Sequence, residues 1–344
     1  MKPTDLDSTK IQLLDPLIGE VIAGRYRIEL KIASGGFGAI YRALDLREDR
    51  DLALKLLHPR LANDPAVIAR FRREGAALRA LRNPHTVSAF DVGETRDGML
   101  YIAMELLEGE SLYDHHKKRG PLPWRRMVQI ARAVCDALAE AHALGIIHRD
   151  LKPANIHLEL RGGGGFVKVL DFGIAKIVHG GALDAGDLTH AGQMIGTFDY
   201  MSPEQMVGGE CTGRSDIFTL GIVMYEMITG QLPFGAAASA SAQLAALVTK
   251  TPRAPSTLAD MPPELDRVIL RCLARNPDDR HADVAELIAD LDRVLARGDV
   301  DEKTLINQVV ADRLDAHGDE PTIVRKQKYV PSTLPGVAPP KKRR

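Results

Sequence analysis

The sequence predicts an α+β chain in two unequal parts: a small antiparallel β-sheet carrying one helix, then a larger, mainly helical body. Three observations predict it. Between Tyr26 and Glu105, short runs with β-type composition are joined by turn-like "REDR" and "TRDG". From about Pro121 the apolar spacing changes to three and four residues. The stretch "DIFTLGIVMYEMITG", Asp216 to Gly230, is apolar on nearly every side, as a central buried helix must be.

The elements follow in order. Residues 1–20 are polar with scattered acids and read as a flexible arm. The runs "RYRIELKIA", "AIYRALDL", "DLALKLL" and "LYIAMELL" read as strands. Before the last of them, "DPAVIARFRREGAALRALRNP" reads as the single helix of this part. Asp64 can cap it, Pro65 suits its first turn, and Asn83-Pro84 stops it. In the second part, "WRRMVQIARAVCDALAEAHALG" sets Met127, Ile130, Val134, Leu138 and Ala141 on one face and ends at Gly145. Ser215 is expected to cap the central helix, and two more helices are expected around 263–274 and 282–297. "RGGGG", Arg161 to Gly165, reads as an enlarged hairpin turn. From Pro321 onward there are five prolines, seven Lys/Arg and no Asp or Glu, the composition of a disordered basic tail. The expected division is an arm over 1–20, a folded domain over 21–298 with lobes at about 21–105 and 108–298, and a tail over 299–344.

Composition narrows the partners. With 344 residues, 45% hydrophobic and 26% charged, the chain reads as globular. A net charge of -1 gives no global field toward nucleic acid or membrane, so no nucleic-acid partner is expected. The longest apolar stretch, "LGIVMYEMI", is broken by Glu226 and is too short to span a bilayer, so no transmembrane segment is expected. "MKPTDLDSTK" lacks the apolar region of a signal peptide. Cys135, Cys211 and Cys272 are scattered, without metal-ligand spacing, and read as reduced thiols of a cytoplasmic protein.

Three features carry chemistry. "KIASGGFGAIYRA" holds Gly35, Gly36 and Gly38, which let backbone N–H groups approach phosphate oxygens. Ala39 to Leu46 then alternates as a strand, so the loop joins two strands; this disfavours a dinucleotide-binding unit and favours a lid over phosphates. On the helix after Pro65, Val67, Phe71, Leu78 and Leu81 form an apolar stripe whose gap is filled by Glu74. A buried carboxylate needs a cation, and Lys55, alone among aliphatic residues in "LALKLL", is the candidate across the small lobe. Finally, "IIHRDLKPANIHLELRGGGGFVKVLDFGIAK" sets Asp150, Lys152, Asn155 and Asp171 between aliphatic runs, either as a satisfied polar knot or for chemistry.

Taken in this order, the motifs resemble a protein kinase catalytic domain of the serine/threonine type, in its bacterial eukaryotic-like branch, over roughly residues 26–298. The resemblance implies a bilobal fold and ATP-dependent phosphorylation of Ser/Thr on proteins, with ATP and Mg²⁺ (Mn²⁺ able to substitute) as cofactors. In "HRDLKPAN" it makes Asp150 the base or hydroxyl-orienting carboxylate and Lys152 a stabiliser of the transferring group. Asn155 and, in "DFG", Asp171 become the metal ligands. The nucleotide would lie under Ile32, Ala33, Ser34, Gly35, Gly36, Phe37, Gly38, Ala39 and Ile40, beside Ala53, Lys55 and Glu74. Met104 falls at the gatekeeper position, and Glu105 and Leu107 supply backbone groups for adenine. His148 is implied to be a packing residue.

Thr197 in "GTFDYMSPEQ" is implied to contact the catalytic Asp and Lys, Glu204 to pair with Arg280, and Asp216 to anchor the catalytic loop. Arg149 before the catalytic Asp implies switching by activation-loop phosphorylation, with Thr189 the expected acceptor and autophosphorylation the expected route. Two departures stand out. The Gly-rich loop is "AxGxxG", with Ala33 first and Ser34 after it, so weaker nucleotide affinity is expected; and Phe198 stands where relatives carry a small residue or Pro. Two other function classes remain open: a pseudokinase, a nucleotide-binding scaffold acting through partners, and a small-molecule phosphotransferase, which would need neither the long activation segment nor Thr197. The tail over 321–344, ending "KKRR", could meet an acidic partner or an anionic surface, or act only as a solubilising tail.

Overall fold

The computed structural model describes residues 15–159, 165–172 and 198–296. In the small lobe, β1 (Val21–Ile22), β2 (Tyr26–Ser34), β3 (Gly38–Asp45), β4 (Arg50–Leu57), β5 (Ala89–Glu94) and β6 (Leu100–Met104) form an antiparallel sheet in the order β1-β2-β3-β4-β6-β5. Period-two alternation gives the sheet two different faces. Leu52, Leu54 and Leu56 of β4 join Tyr26, Ile28, Tyr41 and Tyr101 in one apolar cluster. Ala53 and Leu57 point the other way and enter the main core with Ile102 and Met104. Lys55 lies between Ala53 and Leu57 and so shares their face. Helix α1 (Pro65–Ala80) supplies Phe71 and Leu78 to that core, and the Asp64 carboxylate caps it by accepting from the N–H groups of Ala66 and Val67.

Residues 15–20 belong to this lobe rather than to the arm expected over 1–20. Leu17 and Ile18 pack on the first apolar cluster, and Asp15 accepts from Tyr41 Oη (3.1 Å) and pairs with Lys31 Nζ (3.0 Å). Burial of the two aliphatic side chains is what draws the segment in. Strand β5 was also not expected. "AFDVGE" lacks clean alternation because it is an edge strand, with Phe90 37% exposed.

The large lobe adds a short sheet, β7 (Gly109–Ser111), β8 (Ile156–Glu159) and β9 (Phe166–Val169), in that order. Its helices are α2 (Leu112–Arg119), α3 (Trp124–Ala143), α4 (Pro203–Met206), α5 (Gly213–Thr229), α6 (Ala240–Thr249), α7 (Pro263–Cys272) and α8 (Val284–Ala296). Met127, Ile130, Val134, Leu138 and Ala141 of α3 are all fully buried, and Gly145 turns the chain beyond it at φ +72°. The central helix α5 starts earlier than expected. Thr212 caps it, and Ser215 is the third helical residue, completing a capping box while its hydroxyl donates to Glu204 Oε1 (2.7 Å). Helix α6 went unforeseen because "ASAQLAALVT" is rich in small residues and shows no clear stripe. The hairpin turn read at Arg161 to Gly165 lies outside the described residues except for Gly165, whose C=O accepts from Arg126 Nη2 (2.7 Å).

Candidate active site

The face shared by β4 and α1 brings Lys55 and Glu74 together, with Nζ 2.5 Å from Oε1. Lys55 Nζ also donates to Asp171 Oδ1 at 3.2 Å, and Asp171 follows β9 of the other lobe. Burial opposes the ammonium charge, but Asp171 and Glu74 outweigh it and hold the Lys55 pKa above the ordinary lysine value. Burial pushes the Glu74 carboxyl upward against the pull of Lys55. Side-chain exposure is 16% for Lys55 and 11% for Glu74 but 46% for Asp171, so the trio opens outward at Asp171.

The catalytic-loop candidates sit on unusual backbone. Arg149 (φ +63°) and Asp171 (φ +46°) are non-glycine residues in the left-handed region, a conformation that persists only where the surroundings impose it. At Arg149 the surroundings are explicit. The buried Asp216 carboxylate accepts from the N–H groups of His148 and Arg149, both at 2.9 Å, and from His142 Nε2 at 2.8 Å. Gln205 Nε2 donates to the Arg149 C=O (2.9 Å). His148 is fully buried, donates from Nε2 to the Leu170 C=O (2.9 Å) and packs 4.7 Å from the Phe172 ring. Burial pushes its imidazole pKa down, and its Nδ1 accepts from the Asp150 N–H (3.3 Å).

Beyond this anchor, Lys152 Nζ donates to Asp150 Oδ2 at 2.9 Å. Asn155 Nδ2 donates to the Asp150 C=O (2.8 Å) and to Oδ2 (3.3 Å). The Leu170 N–H donates to the Asn155 C=O (2.9 Å), which ties the loop to the segment carrying Asp171. Sequence-distant residues Lys55, Glu74, Asp150, Lys152, Asn155 and Asp171 are thus linked by one continuous set of contacts. With its amide N–H₂ committed to Asp150, Asn155 keeps Oδ1 without a donor among the described residues. That oxygen and the Asp171 carboxylate are hard donors of the kind Mg²⁺ or Mn²⁺ takes, so the residues fit such an ion.

The Gly-rich turn joins β2 to β3, with the Gly35 N–H donating to the Gly38 C=O (2.8 Å). Ala33 and Ser34 pair with Ile40 and Ala39 as ordinary strand residues, so nothing in this backbone demands glycine at the first position. Gly38 is demanded, since a Cβ there would stand 2.1 Å from the Leu56 carbonyl oxygen. Ile32 and Phe37, on either side of the turn's first glycines, are about half exposed. Ala53 and Met104 face each other across β4 and β6 and are buried.

The Glu105 side chain is committed to neighbouring groups. Its carboxylate accepts from the Ser88 N–H (2.7 Å) and from Lys168 Nζ (2.6 Å), and its N–H donates to the Ser88 C=O (3.0 Å). The Glu105 C=O and the Leu107 N–H and C=O have no backbone partner among the described residues. Sequence reading missed Lys168. It is a lone ammonium in the apolar run "FVKVL", the same signal that marked Lys55.

Farther out, Glu204 and Arg280 form a bidentate pair, Oε1 to Nη1 at 2.7 Å and Oε2 to Nη2 at 2.9 Å. Thr189 and Thr197 lie outside the described residues. Arg149 Nε is buried and meets no acceptor among the described residues.

The protein kinase domain family matches residues 26–290. The chain is 41% identical over 285 residues to the serine/threonine-protein kinase pkn3 of Myxococcus xanthus, a match covering 81% of this chain and 52% of that protein. It is 39% identical over 281 residues to the serine/threonine-protein kinase PknL of Mycobacterium tuberculosis, covering 81% and 68% of the two chains. With PrkC of Bacillus subtilis it shares 38% identity over 287 residues, or 43% of that protein's length. The matched region is thus about half the length of two of these three relatives. Among solved structures, the Mycobacterium tuberculosis PknI kinase domain superposes with a TM-score of 0.62 at 28% identity, covering 80% of this chain and 98% of that one.

Proposed function

The chain belongs to the protein kinase domain family, its serine/threonine relatives included, and we propose that it transfers the γ-phosphoryl group of ATP to Ser and Thr hydroxyls of proteins. The observation that carries the reading is the linked set Lys55–Glu74–Asp171 and Asp150–Lys152–Asn155, complete in both lobes. Asp150 orients the acceptor hydroxyl and takes its proton as the oxygen attacks the γ-phosphorus in line, while the bond from that phosphorus to the β–γ bridging oxygen breaks and ADP leaves. Lys152, held against Asp150, offsets charge on the transferring group, and Lys55 does so on the phosphates already bound. Asn155 and Asp171 would hold Mg²⁺, which neutralises the triphosphate when bound. The adenine lies against Ala53 and Met104 and bonds the free hinge groups at Glu105 and Leu107.

The domain is taken as 21–298, with 15–20 as its leading edge. The Arg149 Nε, buried and without an acceptor among the described residues, favours switching by a phosphate on the activation segment, with Thr189 as acceptor and Thr197 beside the catalytic pair. No helix among the described residues is long and apolar enough to cross a membrane; we place the described domain in the cytoplasm and assign the basic composition of 321–344 to an acidic partner or surface. The scaffold alternative draws no support, because every charged group that phosphoryl transfer needs has its partner. Labelled ATP offered with Ser, Thr and Tyr versions of one peptide and with small alcohols tests the acceptor class. The expected result is label on the Ser and Thr peptides; label on the alcohols alone contradicts the reading.

A further inference from the structure

The Gly-rich turn is held from outside by residues that follow β4. His58 Nε2 donates to the Gly35 C=O (2.9 Å), Arg60 Nη2 to the Gly36 C=O (3.2 Å), and the His58 N–H to the Phe37 C=O (3.0 Å). The Arg70 guanidinium of α1 lies 5.2 Å from the centre of the Phe37 ring. Three successive carbonyls at the tip are therefore drawn to one side. In a trans peptide the C=O and the next N–H point in opposite directions. The N–H groups of Gly36, Phe37 and Gly38 accordingly turn away from the His58–Arg60 segment, and no backbone acceptor within the turn takes any of them. Successive N–H groups aimed the same way form a concavity for anions.

We propose that His58 and Arg60 are positioning residues for the phosphates of the nucleotide, fixing the lid with its N–H groups presented inward. A turn with glycine at 35, 36 and 38 has much backbone freedom to lose. The tether removes that freedom before the ligand arrives, which lowers the cost of binding. His58 follows directly on the last residue of β4, the strand that carries Lys55, so the group that orders the lid and the group that meets the phosphates are set from the same stretch of backbone.

The inference rests on the ATP reading above, and the test separates the two. Dissociation constants for Mg-AMP-PNP and for adenosine are measured by titration calorimetry on the full chain, the double variant His58→Phe/Arg60→Met and the single variants His58→Phe and His58→Gln. The double variant is expected to bind Mg-AMP-PNP about tenfold more weakly, and adenosine within about twofold of the unmodified chain. His58→Gln, whose amide can reach the same carbonyl, is expected to bind Mg-AMP-PNP more tightly than His58→Phe. A merely structural role would weaken both ligands alike. Equal weakening, or none, overturns the tether; an unmodified chain that binds neither ligand overturns the ATP reading and the tether with it.

Discussion

Asp171→Asn lowers phosphoryl transfer to a Ser/Thr peptide at least about a thousandfold while leaving the fold intact. The substitution is nearly isosteric, and Lys55 keeps its 2.5 Å contact with Glu74, so the small lobe retains its buried pair. What is lost is the only exposed carboxylate of the trio, at 46% side-chain exposure, and with it the charge that would hold a cation against the triphosphate. Lys55 also loses the larger of the Coulombic influences that raise its pKa, but Glu74, at 2.5 Å, still favours its charged form. The variant should therefore bind adenosine as the unmodified chain does and melt at a similar temperature, while kcat collapses. Steady-state kinetics beside a thermal melt check this; a loss of activity explained by a matching loss of folded protein would refute the role given to Asp171.

Arg280→Ala destabilises the large lobe by about 3–5 kcal/mol, the range for removing one partner of a buried ion pair. Arg280 is 1% exposed and uses all five of its N–H donors, on both Glu204 oxygens and on the carbonyls of Ala274, Arg214 and Arg275. Its plane also lies 4.7 Å from the Phe218 ring of the central helix. Lysine cannot serve five acceptors from one point charge, so Arg280→Lys recovers little. The pH dependence has a definite sign. Burial pushes the Glu204 carboxyl upward, but Arg280 and Ser215 outweigh it and hold its pKa below the ordinary value. A depressed folded-state pKa stabilises above the unfolded-state value, and that stabilisation is lost as the pH falls through the folded-state value. The variant lacks this contribution, so its stability declines less steeply on the acid side. Denaturant melts from neutral to acid pH measure both effects, and an acid limb of unchanged slope contradicts the assignment.

Much of this was legible in the chain because a charge in an apolar run is conspicuous. Lys55 in "LALKLL" and Glu74 in the stripe of Val67, Phe71 and Leu78 each violate a local pattern, and together they resolve each other. Asp150, Lys152, Asn155 and Asp171 were visible as polar residues out of place, yet their separate roles came from resemblance to a family rather than from spacing. Lys168 broke the same rule in "FVKVL", but its partner Glu105 is 63 residues away and carries no such signal, so the tie between hinge and β9 appeared only in the fold. The contacts of His142 with Asp216, and of His58 and Arg60 with the Gly-rich turn, depend on side-chain reach between turns, which no periodicity encodes. Edge strand β5 and helix α6 were missed for a related reason: tertiary packing, not their own pattern, makes them.

The central claim, that this chain is a working kinase and not a scaffold, is tested most directly by intact-mass analysis of phosphatase-treated protein incubated with Mg-ATP, followed by peptide mapping. Stepwise mass gains of one phosphate are expected, beginning on Thr189 and absent in Asp150→Asn. No gain in the unmodified chain, with added protein substrate also left unlabelled, would contradict that claim.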